Sequence, residues 1–302
     1  YAGAPHVTSA PLQFVRLDHQ ETVMPNAKRL ATFKKKYGAR SIDTAARMHP
    51  ADFDREMGWR DDMDPQYARL NLEFSYGGLM NRGVLDERTR LLVLVGQYTM
   101  AKAQPLLDET VRAAIAARVP VREIAEIILQ CLVYGGHVTV DPAIRTFHRI
   151  AEELNLLPEL ARTQLPLDGT AGARSRAEEE KKWHKDDVAD PRTLPLVDKH
   201  GWLAVSTGLT MRPHHHINIL DWIDRMDSEF AGLWVRFCYA DMYTRGIVDN
   251  KTRLLCMVGN TLAIGDAEND HELLRLADLH NPALTIAGAA RDGAAAAVDL
   301  VT

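Results

Sequence analysis

The chain has 302 residues, 46% of them hydrophobic, which is enough for a sizeable core and suggests about two domains. Its formal charge of -5 is mild and no basic block runs along it, which argues against nucleic acid as a partner. No apolar run approaches the roughly 20 residues of a membrane span, so no membrane partner is expected. Cys131, Cys238 and Cys256 lie sparsely inside apolar helical patterns and read as buried free thiols, which makes a cytoplasmic location the expectation.

Residues 1–25 carry Pro5, Pro11 and Pro25 without a clear period and read as an extended arm, the larger part of a 1–35 N-terminal segment. A short basic helix, KRLATFKKKYG, follows and stops at Gly38. Asp64-Pro65 starts the next clear helix, because Asp caps and Pro suits the first turn. Asp86 caps another, whose inner face is Leu91, Leu92, Val95 and Tyr98. Leu106 to Arg118 is a further helix, and Val119-Pro120 breaks it. The stretch VREIAEIILQCLVYGGHV is expected to run as one amphipathic helix with Ile124, Ile127, Ile128, Cys131 and Leu132 inward. Asp141-Pro142 starts another, to about Leu156. No stretch alternates with period two for long, so the chain is expected to be all-α.

Phe74 to Tyr98 returns, without gaps, 163 positions later. Phe74, Tyr76, Arg82, Gly83, Asp86, Thr89, Arg90, Leu91 and Leu92 recur as Phe237, Tyr239, Arg245, Gly246, Asp249, Thr252, Arg253, Leu254 and Leu255. The same shift relates Met48 to Met211, Trp59 to Trp222 and Met63 to Met226. Such self-similarity decides architecture. It predicts a first unit at 36–157, a charged linker at 158–198 and a second, incomplete unit at 199–302, with Trp59, Trp222, Met63 and Met226 as core between the repeats. A short exposed helix is expected at 178–185.

RGVLDERTRLLVLV followed by AAIAARVPVREIAEIILQCLVYGGH resembles the carboxymuconolactone decarboxylase and alkylhydroperoxidase D superfamily. Glu126, Gln130, Tyr134 and Gly136 fit its Glu-x-x-x-Gln-x-x-x-Tyr-x-Gly helix. The resemblance implies two tandem alkylhydroperoxidase D-like helical bundles and homo-oligomers, here a trimer of duplicated chains. Its redox branch places a Cys-x-x-Cys pair and a histidine where this chain has Ala103, Leu106 and Thr110, and a glutamate where it has Leu91. A dithiol peroxidase needs those groups, so thiol peroxidase activity is disfavoured. The remaining enzyme reading is a cofactor-free lyase of the decarboxylase type, or an isomerase. It would act by acid–base chemistry on a small carboxylated lactone or an aromatic ring-cleavage acid. The alternative is a non-catalytic assembly or small-ligand-binding protein of the same fold.

Spacings of four, four and three put Glu126, Gln130, Tyr134 and His137 on one face of a continuous helix. Decarboxylation builds charge on carbon that an acid must protonate, so His137 or Tyr134 is the expected acid, tuned by Glu126. Gln130, Arg82 and Arg90 are expected to hold the substrate, the arginines gripping its carboxylate bidentately. Blander roles stay open: Glu126 pairing with Arg122, Gln130 satisfying backbone, and Arg82 and Arg90 pairing with Asp86. His214-His215-His216 reads as a solvated helix start, and neither a metal nor another cofactor is expected.

Overall fold

The computed structural model describes residues 26–165, 190–212 and 215–264. Every regular element among them is helical, and none is a strand. The first half runs α1 Ala27–Tyr37, α2 Ala39–Met48, α3 Phe53–Met63, α4 Pro65–Asn71, a π-helical turn at Leu72–Gly78, then α5 Glu87–Met100, α6 Gln104–Ala116, α7 Val121–Gln130, α8 Leu132–Glu153 and α9 Leu157–Arg162. The second runs α10 Thr193–His200, α11 Trp202–Met211, α12 His216–Met226, α13 Ser228–Val235, a π-helical turn at Arg236–Met242 and α14 Asn250–Ile264. No single described helix is long and apolar enough to cross a membrane.

Local chemistry sets the element ends. Asn26 caps α1 by accepting from the Lys28 and Arg29 amides, and Gly38 stops that helix at φ 88°, a conformation costly for residues with a Cβ. Asp64 accepts from Gln66 and Tyr67 N–H to start α4, with Pro65 in its first turn. Asp86 accepts from the Thr89 amide at 2.8 Å and starts α5. Asp249 does the same for α14 through Thr252. Helices α2, α3, α4 and α5 begin 163 residues before α11, α12, α13 and α14. Gly201 repeats the backbone of Gly38, at φ 90°.

The apolar side chains form three clusters. Phe33, Tyr37, Ile42, Phe53, Met57 and Leu72 close a small core over α1–α4. Leu92, Val95, Leu107, Ile124, Ile127 and Ile150 fill the centre of α5–α8, each at most 1% exposed and worth roughly 1.5–3 kcal/mol of burial. That central cluster also takes in Val248 and Cys256 of the second half. The third cluster, built on α10–α14, has Val133 and Tyr134 of the first half packed against it. The halves therefore interlock along α5 and α14. Gly96 and Gly259, a repeated pair, sit at that contact: a Cβ on Gly96 would run into Asn260, and one on Gly259 would meet Val93 Cγ1 at 2.9 Å.

Three expectations change. The stretch from Val121 is not one helix. It breaks at Cys131, the two parts meeting at 116°, and Gly136 interrupts α8 with φ 61° and ψ −175°. Both parts pack into the central cluster, through Ile124, Ile127 and Ile128 before the break and Val140, Phe147 and Ile150 after it, which a single straight helix could not do. The 158–198 linker is shorter than expected, since α9 and α10 occupy its two ends. The helix expected at 178–185 lies outside the described residues. Trp59, Met63, Trp222 and Met226 are exposed rather than core between the repeats, because α5 and α14 take that contact instead.

Candidate functional site

Glu126 and Gln130 do share a face of α7, but that face is closed by the second half. Both are fully buried. Glu126 Oε1 accepts from Arg253 Nη2 at 3.0 Å, and its Oε2 accepts from Arg245 Nε at 3.0 Å. Gln130 Oε1 accepts from Arg253 Nη1 at 3.0 Å, while its amide donates to the Arg253 carbonyl at 3.3 Å. Arg253 is itself fully buried, with its guanidinium 5.6 Å from the centre of the Tyr243 ring. The partners are thus the repeats of Arg82 and Arg90, not those two residues and not Arg122. Both carboxylate oxygens already accept from guanidinium groups and the side chain is fully buried, so Glu126 is closed to a substrate arriving from solvent. Such a pair is strongly destabilising to break, because the survivor is a buried charge with nothing opposite it.

The break at Cys131 sends the rest of the expected site elsewhere. Tyr134 lies beyond it and meets Tyr243, hydroxyl to hydroxyl, at 3.1 Å. Burial pushes both phenols up, that of Tyr243 strongly. His137 stands in solvent, 84% exposed, with only Asp141 near its Nδ1 at 3.5 Å. Arg82 is exposed. Arg90 donates to the carbonyls of Met80 and Leu85 rather than to Asp86. It lines a small cleft with Thr44, Arg47, Met48, Glu87 and Leu91. Leu91 and Leu254 are core. All three cysteines are buried and free; burial pushes Cys131 and Cys238 up to about 12 and raises Cys256 as well. Thiols in such surroundings are poor nucleophiles at neutral pH.

A second polar cluster lies inside the first half. Helix α2 ends at His49, whose ring turns inward and is 5% exposed. Its Nε2 is 2.6 Å from the Tyr76 hydroxyl, which the π-helical turn presents. Single π-turns recur at functional positions in helical proteins. Its Nδ1 is 2.8 Å from Glu109 Oε2 on α6, yet the two atoms are not aligned for a hydrogen bond and neither makes one. Glu56 on α3 accepts from Trp59 Nε1 at 3.0 Å and Arg60 Nη1 at 2.9 Å. Burial would raise the Glu56 carboxyl, but those two hydrogen bonds outweigh it and lower it. Asp52, capping position of α3, has a buried Oδ1 with no hydrogen bond. Burial and then the Glu109 charge push its carboxyl up, against the pull of Arg55. Burial pushes the Tyr76 phenol up to about 12, so it stays protonated. An imidazole between a carboxylate and a partly accessible phenol can pass a proton in either direction.

Among its described residues the second half keeps only Tyr239 of this cluster, the repeat of Tyr76. Arg212, Ile219 and Ile223 stand where His49, Glu56 and Arg60 stand in the first half. The elements around them have the same bounds.

Comparison with known proteins adds one relative. No family model and no solved structure matches the chain. A protein of Paracoccus denitrificans, described as "Uncharacterized 15.0 kDa protein in nqo9-nqo10 intergenic region", is 34% identical over 113 residues, 37% of this chain and 84% of that protein. This chain belongs to the family of that protein. Membership of this 15.0 kDa protein family brings no activity with it, since the description gives none.

Sequence reasoning passed over His49, Glu56 and Glu109. The signal was present in the repeat itself. His49, Glu56 and Arg60 are among the polar residues that fail to recur under the 163-residue shift, as are Arg40, Asp43 and Asp54, and the first three fall in one cluster. Glu109 carried no such mark, because its place depends on how α6 packs.

Proposed function

We propose that the chain is an acid–base enzyme, a lyase of the decarboxylase type or an isomerase, acting on a small carboxylated lactone or ring-cleavage acid. Its reacting centre is the His49 cluster. The observation that carries this reading is the buried His49 ring set between Tyr76 at 2.6 Å and Glu109 at 2.8 Å. In this reading Tyr76 protonates the carbanion left by carboxylate departure, and His49 returns the proton. Arg60, on the same helix as Glu56 and paired with it, is a part-buried cation for orienting a carboxylate. The substrate class comes from the resemblance to the carboxymuconolactone decarboxylase superfamily. The measurement is turnover of a panel of carboxylated lactones, followed by ultraviolet absorbance and released CO2. Tyr76→Phe and His49→Gln should each lower the rate at least tenfold, and His137→Ala should leave it unchanged. Full activity in both cluster variants ends this assignment.

A duplicated alkylhydroperoxidase D-like bundle is supported by the paired element bounds, the paired glycines Gly38 and Gly201, and a relative that aligns over about one unit's length. Assembly into a trimer of chains is supported by Trp59, Met63, Leu70 and Phe74, which are exposed together with their counterparts Trp222, Met226, Leu233 and Phe237. A purely structural role is the second reading, favoured by the dry packing of Glu126 and Gln130. A cytoplasmic location is part of the same proposal.

A further inference from the structure

We propose that His49, Glu56 and Glu109 bind one divalent first-row transition-metal ion per chain, with Asp52 at the edge of the site. Each of the three offers a ligand atom, and these atoms lie within 4.8 Å of one another. Ligands around an ion with bonds of about 2.1 Å sit roughly 3–4.2 Å apart, so small side-chain adjustments close the site. The residues come from the end of α2, from α3 and from α6, three separate packed elements.

The independent observation is the pair His49 Nδ1 and Glu109 Oε2. Both side chains are at least nine-tenths buried, their atoms are 2.8 Å apart, and neither atom forms a hydrogen bond. Asp52 Oδ1 is a third buried atom without a hydrogen bond. Leaving such atoms unmade costs about 1–3 kcal/mol each, and a cation shared between them satisfies Nδ1 and Oε2 together. With Nδ1 on the metal, Nε2 carries the ring proton and donates it to the Tyr76 oxygen. That is the outer hydrogen bond that metal-bound histidines ordinarily make. One imidazole with two or three carboxylates suits Zn2+, Mn2+ or Fe2+.

Charge is compatible. Asp52, Glu56 and Glu109 face Arg55 and Arg60, and the Arg55 side chain is 63% exposed, free to swing outward when a cation enters. The second half has Arg212 and Ile219 at the positions of His49 and Glu56, so it offers no matching site among its described residues. The stoichiometry is therefore one ion, not two, for a chain with two similar halves.

This site shares residues with the proposed acid–base centre but does not rest on it, since metal uptake is read by stoichiometry and lactone turnover by rate. The test is titration of the chelator-stripped full chain with Mn2+, followed by the electron paramagnetic resonance signal of the free ion, and with Zn2+ by calorimetry. One ion per chain is expected. His49→Gln and Glu109→Gln should each weaken binding at least tenfold, with circular dichroism confirming the fold. Glu109→Asp, which keeps the charge, should retain part of the affinity and serves if Glu109→Gln does not fold. His215→Gln, in the histidine run, should change nothing. No stoichiometric uptake, two ions per chain, or loss in His215→Gln with retention in His49→Gln overturns the proposal.

Discussion

The two halves of this molecule place similar helices at matched positions and fill them differently. In the first, α2 and α3 enclose His49, Glu56 and Arg60 with Glu109 opposite. In the second, α11 and α12 bring Arg212, Ile219 and Ile223 to those positions, and the buried charge lies instead in Arg253, held by Glu126 and Gln130 of the first half. The helices form in the second half with Ile219 and Ile223 in place of Glu56 and Arg60 and with Arg212 in place of His49, so the local fold does not call for that histidine and glutamate in the first. Groups that are expensive to bury and unnecessary for the fold are where function is to be sought. The Glu126 network fits the opposite description. Its one carboxylate faces both Arg245 and Arg253, Gln130 adds a neutral acceptor, and it joins the halves.

The largest expected effect tests that division. Glu126→Ala leaves Arg253 buried and unpaired, and should cost about 3–5 kcal/mol in denaturant unfolding. Arg90→Met, at the repeated position in the first half, should cost far less, since Arg90 meets only backbone carbonyls. Equal losses would mean that Arg90 has a partner of its own and that the halves are balanced. Replacing Glu126 and Arg253 together by Leu and Met should recover most of the stability.

The next effect is a dependence on pH that belongs to the second half alone. His216, expected from the sequence to belong to a solvated helix start, instead occupies the place of Phe53, fully buried against Trp234 and Tyr239, with neither ring nitrogen hydrogen-bonded. A Cβ on Gly208 would run into its ring. Burial, helped by Arg212, lowers its pKa to about 3. The unfolded chain therefore binds the proton more readily than the folded one. Stability from this group is complete above about pH 6.5 and is lost as the pH falls from there toward 3. By pH 4.5 the loss should be roughly 2–3 kcal/mol. His216→Phe, which installs the residue of the other half, should remove that acid limb; an unchanged limb would show the ring to be solvated.

Smaller effects should separate scaffold from site. Gly259→Ala presses a methyl group on Val93 at the contact of α5 and α14, and should cost about 1–3 kcal/mol by thermal melting. The exchange Glu56→Ile with Arg60→Ile copies the second half into the first. It should change stability by about 1 kcal/mol or less, while abolishing turnover and metal uptake. A large loss of stability there would make the cluster structural after all.

Most of the helix boundaries were legible in the sequence because they rest on local signals: Asp64, Asp86 and Gly38 act within a turn of where they stand. The repeat also fixed which elements correspond. The site was less legible. Glu126 and Gln130 were rightly placed on one face, yet their partners come from more than a hundred residues away. The helix is also interrupted at Gly136 (φ 61°, ψ −175°), which Gly135-Gly136 marked in the sequence one residue before His137. His137 went astray for that reason, as its position on the face depended on a helix that does not continue. His49 was masked by its neighbours, being a lone histidine beside Met48 and Pro50 with its carboxylates on other helices.

The contact between α5 and α14, with Gly96 and Gly259 letting the backbones approach, has a consequence for how the chain reaches this state. The pairing closes a loop of more than 150 residues, so it forms late in folding. The two helices carry nearly the same sequence, TRLL followed by a valine and a glycine. Before the loop closes, α5 of one molecule can meet α5 of another through much the same surface. Refolding at high protein concentration should then yield exchanged dimers, with dilution favouring the closed chain.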